Sequence, residues 1–136
     1  MSAPARRAVE KRAMDVAAQF LRDNGYAVRD TSATGSFDFE ATSAGTQIKV
    51  EVKGTTSDRA DGIMMTANEV ELHRNEKGNT ALIIVSSIRL SEQNGGYVGT
   101  GGNMEWLLGW DIDEWSHEPT AFRVTRPATT KSLQPG

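Results

Sequence analysis

Cysteine is missing from this 136-residue chain, and histidine occurs only twice. Without cysteine there are no disulfides, no thiol chemistry and no zinc site of the usual thiolate kind. Two histidines exclude a His-rich metal site. Long membrane-grade hydrophobic runs are missing too. The opening MSAPARRA carries charge with no apolar stretch behind it. Neither a signal peptide nor a membrane span is expected, so the expected location is cytoplasmic. An excess of positive charge is also absent. Fifteen Lys and Arg against 18 Asp and Glu leave a net charge of -3, with a pI of about 5.4. This excludes a protein that coats nucleic acid with a broad basic surface, but it is compatible with a small basic groove beside an acidic site. There are no internal repeats. The length implies one domain that can bury an adequate core without staples.

The most informative stretch is Phe37 to Gly54, FDFEATSAGTQIKVEVKG. Phe37, Phe39 and Ala41 alternate with polar residues, and so do Ile48, Val50 and Val52. That is the pattern of two half-buried strands. Gly45 supplies a turn residue that tolerates positive φ. A two-residue loop at Ala44-Gly45 places Ala41 opposite Ile48, Phe39 opposite Val50 and Phe37 opposite Val52, all on one apolar face. On the other face Glu40 meets Lys49 and Asp38 meets Glu51. A three-residue loop would set Asp38 against Val50 and spoil both faces.

Asp38 facing Glu51 calls for compensation, because opposed side chains have Cβ atoms ~5 Å apart and like charges there repel. Lys53 lies two residues on, ~6.5 Å along the same face. A divalent cation is the other candidate, since both carboxylates can reach one Mg²⁺ with ligand distances of ~2.1 Å.

Elsewhere, Val9, Ala13, Val16, Ala17, Phe20 and Leu21 recur at threes and fours, which predicts a helix from about Pro4 to Asn24, ended by Asn24-Gly25. Arg6, Arg7, Lys11, Arg12 and Arg22 occupy its other faces, as a solvated surface or as phosphate contacts from the first turn. Tyr26 to Thr31 reads as a strand. Thr66-Ala67-Asn68-Glu69 is a capping box that starts a second helix. The box explains Thr66 and Glu69 and leaves Asn68 unexplained. His73 is expected at the surface near the end of that helix. Thr80 to Ile88, TALIIVSSI, reads as a strand buried on both faces. The Gly-rich stretch Ser91 to Asn103 lacks the spacing of a phosphate loop and is expected to be a mobile connection. Met104 to Ile112 and Ala121 to Thr125 read as further strands. Trp106, Trp110 and Trp115 are expected to pack a satellite core, with base stacking as the alternative. The expected organisation is a single domain over residues 1–126, with a core at about 4–90, a loop at 91–103, a β extension at 104–126 and a frayed tail at 127–136.

These residues resemble the PD-(D/E)xK nuclease superfamily, in particular the branch found at the C-terminus of the plant protein NO VEIN. The resemblance rests on Glu10 in the first helix, Phe37-Asp38-Phe39, Val50-Glu51-Val52-Lys53-Gly54-Thr55, and Thr66-Ala67-Asn68-Glu69. It spans roughly Val9 to Ile88. It departs at Phe37, where the superfamily label has Pro. The resemblance implies an α/β fold with a restriction-endonuclease-like αβββαβ core, a mixed central sheet flanked by helices, here with a C-terminal β extension. It implies Asp38, Glu51 and Lys53 as catalytic residues. Asp38, Glu51 and the Val52 carbonyl would hold Mg²⁺ or Mn²⁺, with Glu10, Asn68 and Glu69 accessory and Arg6, Arg7, Lys49 and Arg59 on nucleic acid. The implied activity is hydrolysis of phosphodiesters, with DNA expected before RNA. A double-strand cut implies a homodimer, and the branch's frequent fusion to larger proteins implies an ATPase or helicase partner. Two other readings stand beside this one. The domain keeps the fold and binds nucleic acid or a protein without catalysis, or Asp38, Glu40, Lys49, Glu51 and Lys53 form only a solvated, charge-laced face.

Overall fold

The computed structural model describes residues 1–120 and 124–128. Helix α1 runs Ala3–Asp23. The Ser2 hydroxyl accepts the Ala5 N–H at its start, and Pro4 occupies its first turn, where no N–H is needed. Val9, Ala13, Ala17 and Leu21 form its buried stripe, as the spacing predicts. Strands β1 (Ala27–Asp30), β2 (Phe39–Ser43) and β3 (Thr46–Gly54) follow. After them come helix α2 (Ala67–Asn75), strands β4 (Thr80–Gln93) and β5 (Gly96–Leu108), and a 3-10 turn at Ile112–Glu114. The five strands form one sheet in chain order. Only β3 and β4 are parallel, joined by the α2 crossover. The fold is α/β with a mixed sheet between helices.

The hairpin register is the expected one from Ser43↔Thr46 through Ala41↔Ile48 to Phe39↔Val50. β4 is buried on both faces, as its apolar run predicts. Ala81, Ile83 and Val85 pack toward α1, whereas Leu82 and Ile84 join Trp110 and Ile112 on the α2 side. The capping box at Thr66 and Glu69 is present in both directions.

Three expectations fail. The Gly-rich segment is no mobile loop: β4 continues past Ile88, turns at Asn94-Gly95 and pairs with β5 from Gln93↔Gly96 to Ala81↔Leu108. Gly99 is needed because α1 lies directly on β5 there. A Cβ on Gly99 would stand 2.8 Å from Arg12 Cβ and 3.0 Å from the Ala8 carbonyl, and Arg12 Nε donates to the Gly101 carbonyl at 2.9 Å. The strand expected at Met104–Ile112 ends at Leu108. His73 is not at the surface but fully buried. Of the strand expected at Ala121–Thr125, residues 121–123 lie outside the described residues, as does most of the expected tail, 129–136.

Candidate active site

The ladder between β2 and β3 stops one residue short of the candidate carboxylate. Asp38 donates its N–H to the Val50 carbonyl at 2.9 Å, so Asp38 and Phe39 both stand against Val50, as in a β-bulge. The carbonyls of Phe37 and Asp38 turn instead to Thr31, which donates Oγ1 to the first and its N–H to the second, each at 2.9 Å. The Asp38 carboxylate then takes the Val52 N–H at 2.8 Å. That N–H would otherwise go to Phe37. This bulge corrects the expected placement of Phe37 against Val52. The Phe37 ring sits on the other face, 5.3 Å from Lys49 Nζ. It also leaves the Val52 carbonyl, at the cleft, without its ladder bond from Phe37.

Asp38, Glu51 and Lys53 come together at the floor of a cleft of about 940 Å³. The Glu51 side chain is only 3% exposed. Burial pushes its carboxyl up to about 9, helped by the negative charge of the neighbouring Asp38 carboxylate. Glu51 Oε2 has no partner among the described residues. Lys53 Nζ lies 3.4 Å from Glu51 Oε1 and 3.2 Å from Glu69 Oε1. Burial pulls the Lys53 ammonium down, but the two acids outweigh it and hold it above its ordinary range. Glu69 Oε1 also accepts the Thr66 N–H at 3.0 Å. One carboxylate therefore closes the α2 capping box and holds the candidate catalytic lysine. These residues do not form the solvated face that the alternation also allowed.

The remaining candidates divide. Arg7, Glu10, Arg59 and Glu69 line the same cleft. Asn68 does not: it lines a separate shallow groove with Ser36, Glu71 and Asn75. Arg6 donates to the Met1 carbonyl, away from the cleft lining. Lys49 and Glu40 are register partners, yet the ion pair expected between them is absent. Glu40 pairs with Arg29 at 2.6 Å and Lys49 with Glu76 at 2.8 Å, because neighbouring elements offer each a partner off the hairpin.

Trp110 and Trp115 pack a satellite core as expected, whereas Trp106 packs against the α1-side cluster; what sequence reasoning missed is the pairing of Trp110 with His73. Trp110 Nε1 donates to His73 Nδ1 at 3.0 Å, and burial holds the His73 imidazole down to about 4. The ring is neutral, with its proton on Nε2. That atom and Thr80 Oγ1 are buried without partners among the described residues, an arrangement that costs about 1–3 kcal/mol for each such group. The signal available in the sequence was helical spacing: His73 stands four residues after Glu69 and three after Val70.

Among the described residues no three His, Cys, Asp or Glu side chains are arranged to hold a metal. The Asp38–Glu51 pair fits a hard cation in another way. It presents a buried, unpartnered carboxyl oxygen, a second carboxylate against it, and a backbone carbonyl released from the ladder. No described helix is long and apolar enough to cross a membrane.

A family model described as Protein NO VEIN, C-terminal, matches residues 9–96. No curated protein and no solved structure matches the chain. The matched span begins within α1, contains the whole Asp38–Glu51–Lys53–Glu69 cluster and ends at the first residue of β5. The chain belongs to the NO VEIN C-terminal domain family.

Proposed function

We propose that the chain is a Mg²⁺- or Mn²⁺-dependent nuclease with a restriction-endonuclease-like αβββαβ core, hydrolysing phosphodiester bonds in nucleic acid, with DNA the favoured substrate. The observation that carries this reading is Glu51. A carboxyl buried beside a second carboxylate, with one oxygen unpartnered, is costly to keep unless it serves as a ligand. Asp38, Glu51 and the Val52 carbonyl are the residues that would hold the cation. Their hard oxygens select Mg²⁺ or Mn²⁺ over Zn²⁺. When bound, the cation supplies Lewis acidity toward a phosphoryl oxygen and a lowered pKa for a bound water.

Lys53 carries the protein's own part. Its ammonium, kept charged by Glu51 and Glu69, orients the attacking water and stabilises the negative charge that develops on the phosphoryl oxygens. Arg7, Lys11 and Arg59 at the cleft wall contribute phosphate contacts. Homodimers for double-strand cutting and an ATPase or helicase partner belong to the same proposal.

The second reading is a catalytically inactive nuclease-fold domain that binds nucleic acid or a protein partner. Two of the three phosphate candidates already have carboxylate partners, Lys11 with Asp15 and Arg59 with Asp61, which favours weak phosphate binding. Incubating the purified protein with circular and linear DNA and RNA, in Mg²⁺, Mn²⁺ or EDTA, separates the two. The nuclease reading expects cleavage that EDTA abolishes and that Lys53→Ala lacks while still binding substrate. Binding with no cleavage under any ion would select the second reading.

A further inference from the structure

One buried titratable group takes no part in the proposed chemistry. His73 is the single fully buried side chain of α2. It stands one turn after Glu69, on the same face of the helix. Its Nδ1 accepts from Trp110 Nε1 at 3.0 Å, and the two rings lie 5.3 Å apart. Trp110 is itself fixed edge-on by Trp115, with ring centroids 5.3 Å apart. The Gly109 N–H bonds the Thr80 carbonyl, which ties this segment to the start of β4. α2 spans only nine residues, too few to hold its own position without tertiary contacts. A directional bond at one buried residue fixes both the depth and the rotation of so short a helix, which an apolar side chain of equal size would not. Rotation that displaced His73 would carry Glu69 with it, away from Lys53.

We propose that His73 is a positioning residue: clamped by Trp110, it holds α2 so that Glu69 meets Lys53 Nζ. The significance of this rests on reading Lys53 as the catalytic lysine, but the geometry does not. Trp110 lies beyond residues 9–96. The segment after β5 therefore supports the site from outside the part of the chain that the family match covers.

The test reads the Glu69–Lys53 contact directly, as the Glu69 Oε1 to Lys53 Nζ distance in crystal structures of the variants without substrate or metal, set against 3.2 Å here. His73→Phe removes the acceptor and keeps a ring, and Trp110→Phe removes the donor. Both are expected to open the contact beyond hydrogen-bond reach, because so short a helix then loses the bond that sets its rotation. His73→Asn, whose amide oxygen can stand where Nδ1 stands, should restore it in part. Leu21→Ala on the opposite face serves as a destabilised control with an unchanged contact. If wild type cleaves nucleic acid, the two clamp variants should lower kcat and leave KM nearly unchanged. A Glu69–Lys53 contact equal to wild type in a folded Trp110→Phe protein would overturn the proposal, whatever His73→Phe does. Absence of cleavage by wild type would count against the nuclease reading alone, since the Glu69–Lys53 contact decides the clamp independently.

Discussion

The two faces of the sheet are built to different rules. On the α1 face, fourteen buried residues from α1, β2, β3 and β4 form one continuous cluster, every one of them apolar. On the α2 face the fully buried apolar cluster has only four members, Leu82, Ile84, Trp110 and Ile112. Among the described residues, all three buried polar side-chain atoms without partners are on that face. Glu51 and His73 belong to the site and its helix, and Thr80 follows from alternation with Leu82 and Ile84 along β4. The faces share one set of strands, so the contrast is made by which residues alternate. The α1 face carries the stability, and that surplus lets the α2 face keep groups that a core optimised for stability would replace.

The largest expected effect is on the α1 face. Leu21 is fully buried at the C-terminal end of the α1 stripe. Leu21→Ala should cost about 2–5 kcal/mol, seen as a lower midpoint in urea, with the site unaffected in the protein that remains folded. A variant that altered Mg²⁺ response or Lys53 titration at 25 °C would show that the faces are coupled and would break the comparison.

On the α2 face the sign should reverse. The folded-state pKa of Glu51 lies at about 9, above its ordinary 4.5. The folded protein therefore binds more protons than the unfolded chain between those values. The stability this contributes is fully present below about pH 4.5 and is lost as pH rises through 9. Glu51→Gln stays neutral throughout. It should melt higher than wild type without metal, by a few degrees at pH 8, with a gap that widens from pH 5 to 9. Added Mg²⁺ should stabilise wild type, increasingly with pH because the ligand must lose its proton, and should leave the variant unmoved. Melting curves across that pH range, with and without Mg²⁺, check this. A variant that melts lower at every pH would mean that Glu51 is a structural group.

The same contrast explains what the sequence disclosed. Features governed by a short period were legible. The hairpin register followed from alternation through Phe39, Ala41, Ile48 and Val50, and the capping box from Thr66 and Glu69. So did the meeting of Asp38, Glu51 and Lys53, although the bulge that aims Asp38 depends on Thr31 claiming the Phe37 and Asp38 carbonyls, a contact with no local signature. The β4–β5 arm was hidden because glycine normally argues against a strand, and the reason for Gly99 lies far off in the chain, where Arg12 and the Ala8 carbonyl of α1 leave no room for a Cβ. His73 was misplaced for a similar cause. Its burial comes from Trp110, 37 residues on, and not from the helix that carries it. Asn68 stood out in the sequence, yet it opens onto a different groove.

The smallest expected effect bears most directly on whether the charged face is a site. Lys49 and Lys53 stand four residues apart on β3 and point to the same side, so a merely solvated face would treat them alike. Their surroundings differ. Lys49 Nζ pairs with Glu76 at the C-terminal end of α2 and lies over the Phe37 ring, outside the cleft. Lys53 Nζ lies between Glu51 and Glu69 inside it. The Lys49–Glu76 pair keeps about a third of each side chain in solvent, so screening limits it to under ~1 kcal/mol. Lys49→Ala should therefore lower the melting temperature by no more than a few degrees and leave Mg²⁺ stabilisation unchanged. Lys53→Ala removes a positive charge that competes with a cation, so its Mg²⁺ stabilisation should equal or exceed that of wild type. The comparison needs only two variants, melted side by side with and without Mg²⁺. Identical Mg²⁺ responses that both fall below wild type would make the lysines equivalent, and the distinction between the two ends of β3 would have to be given up.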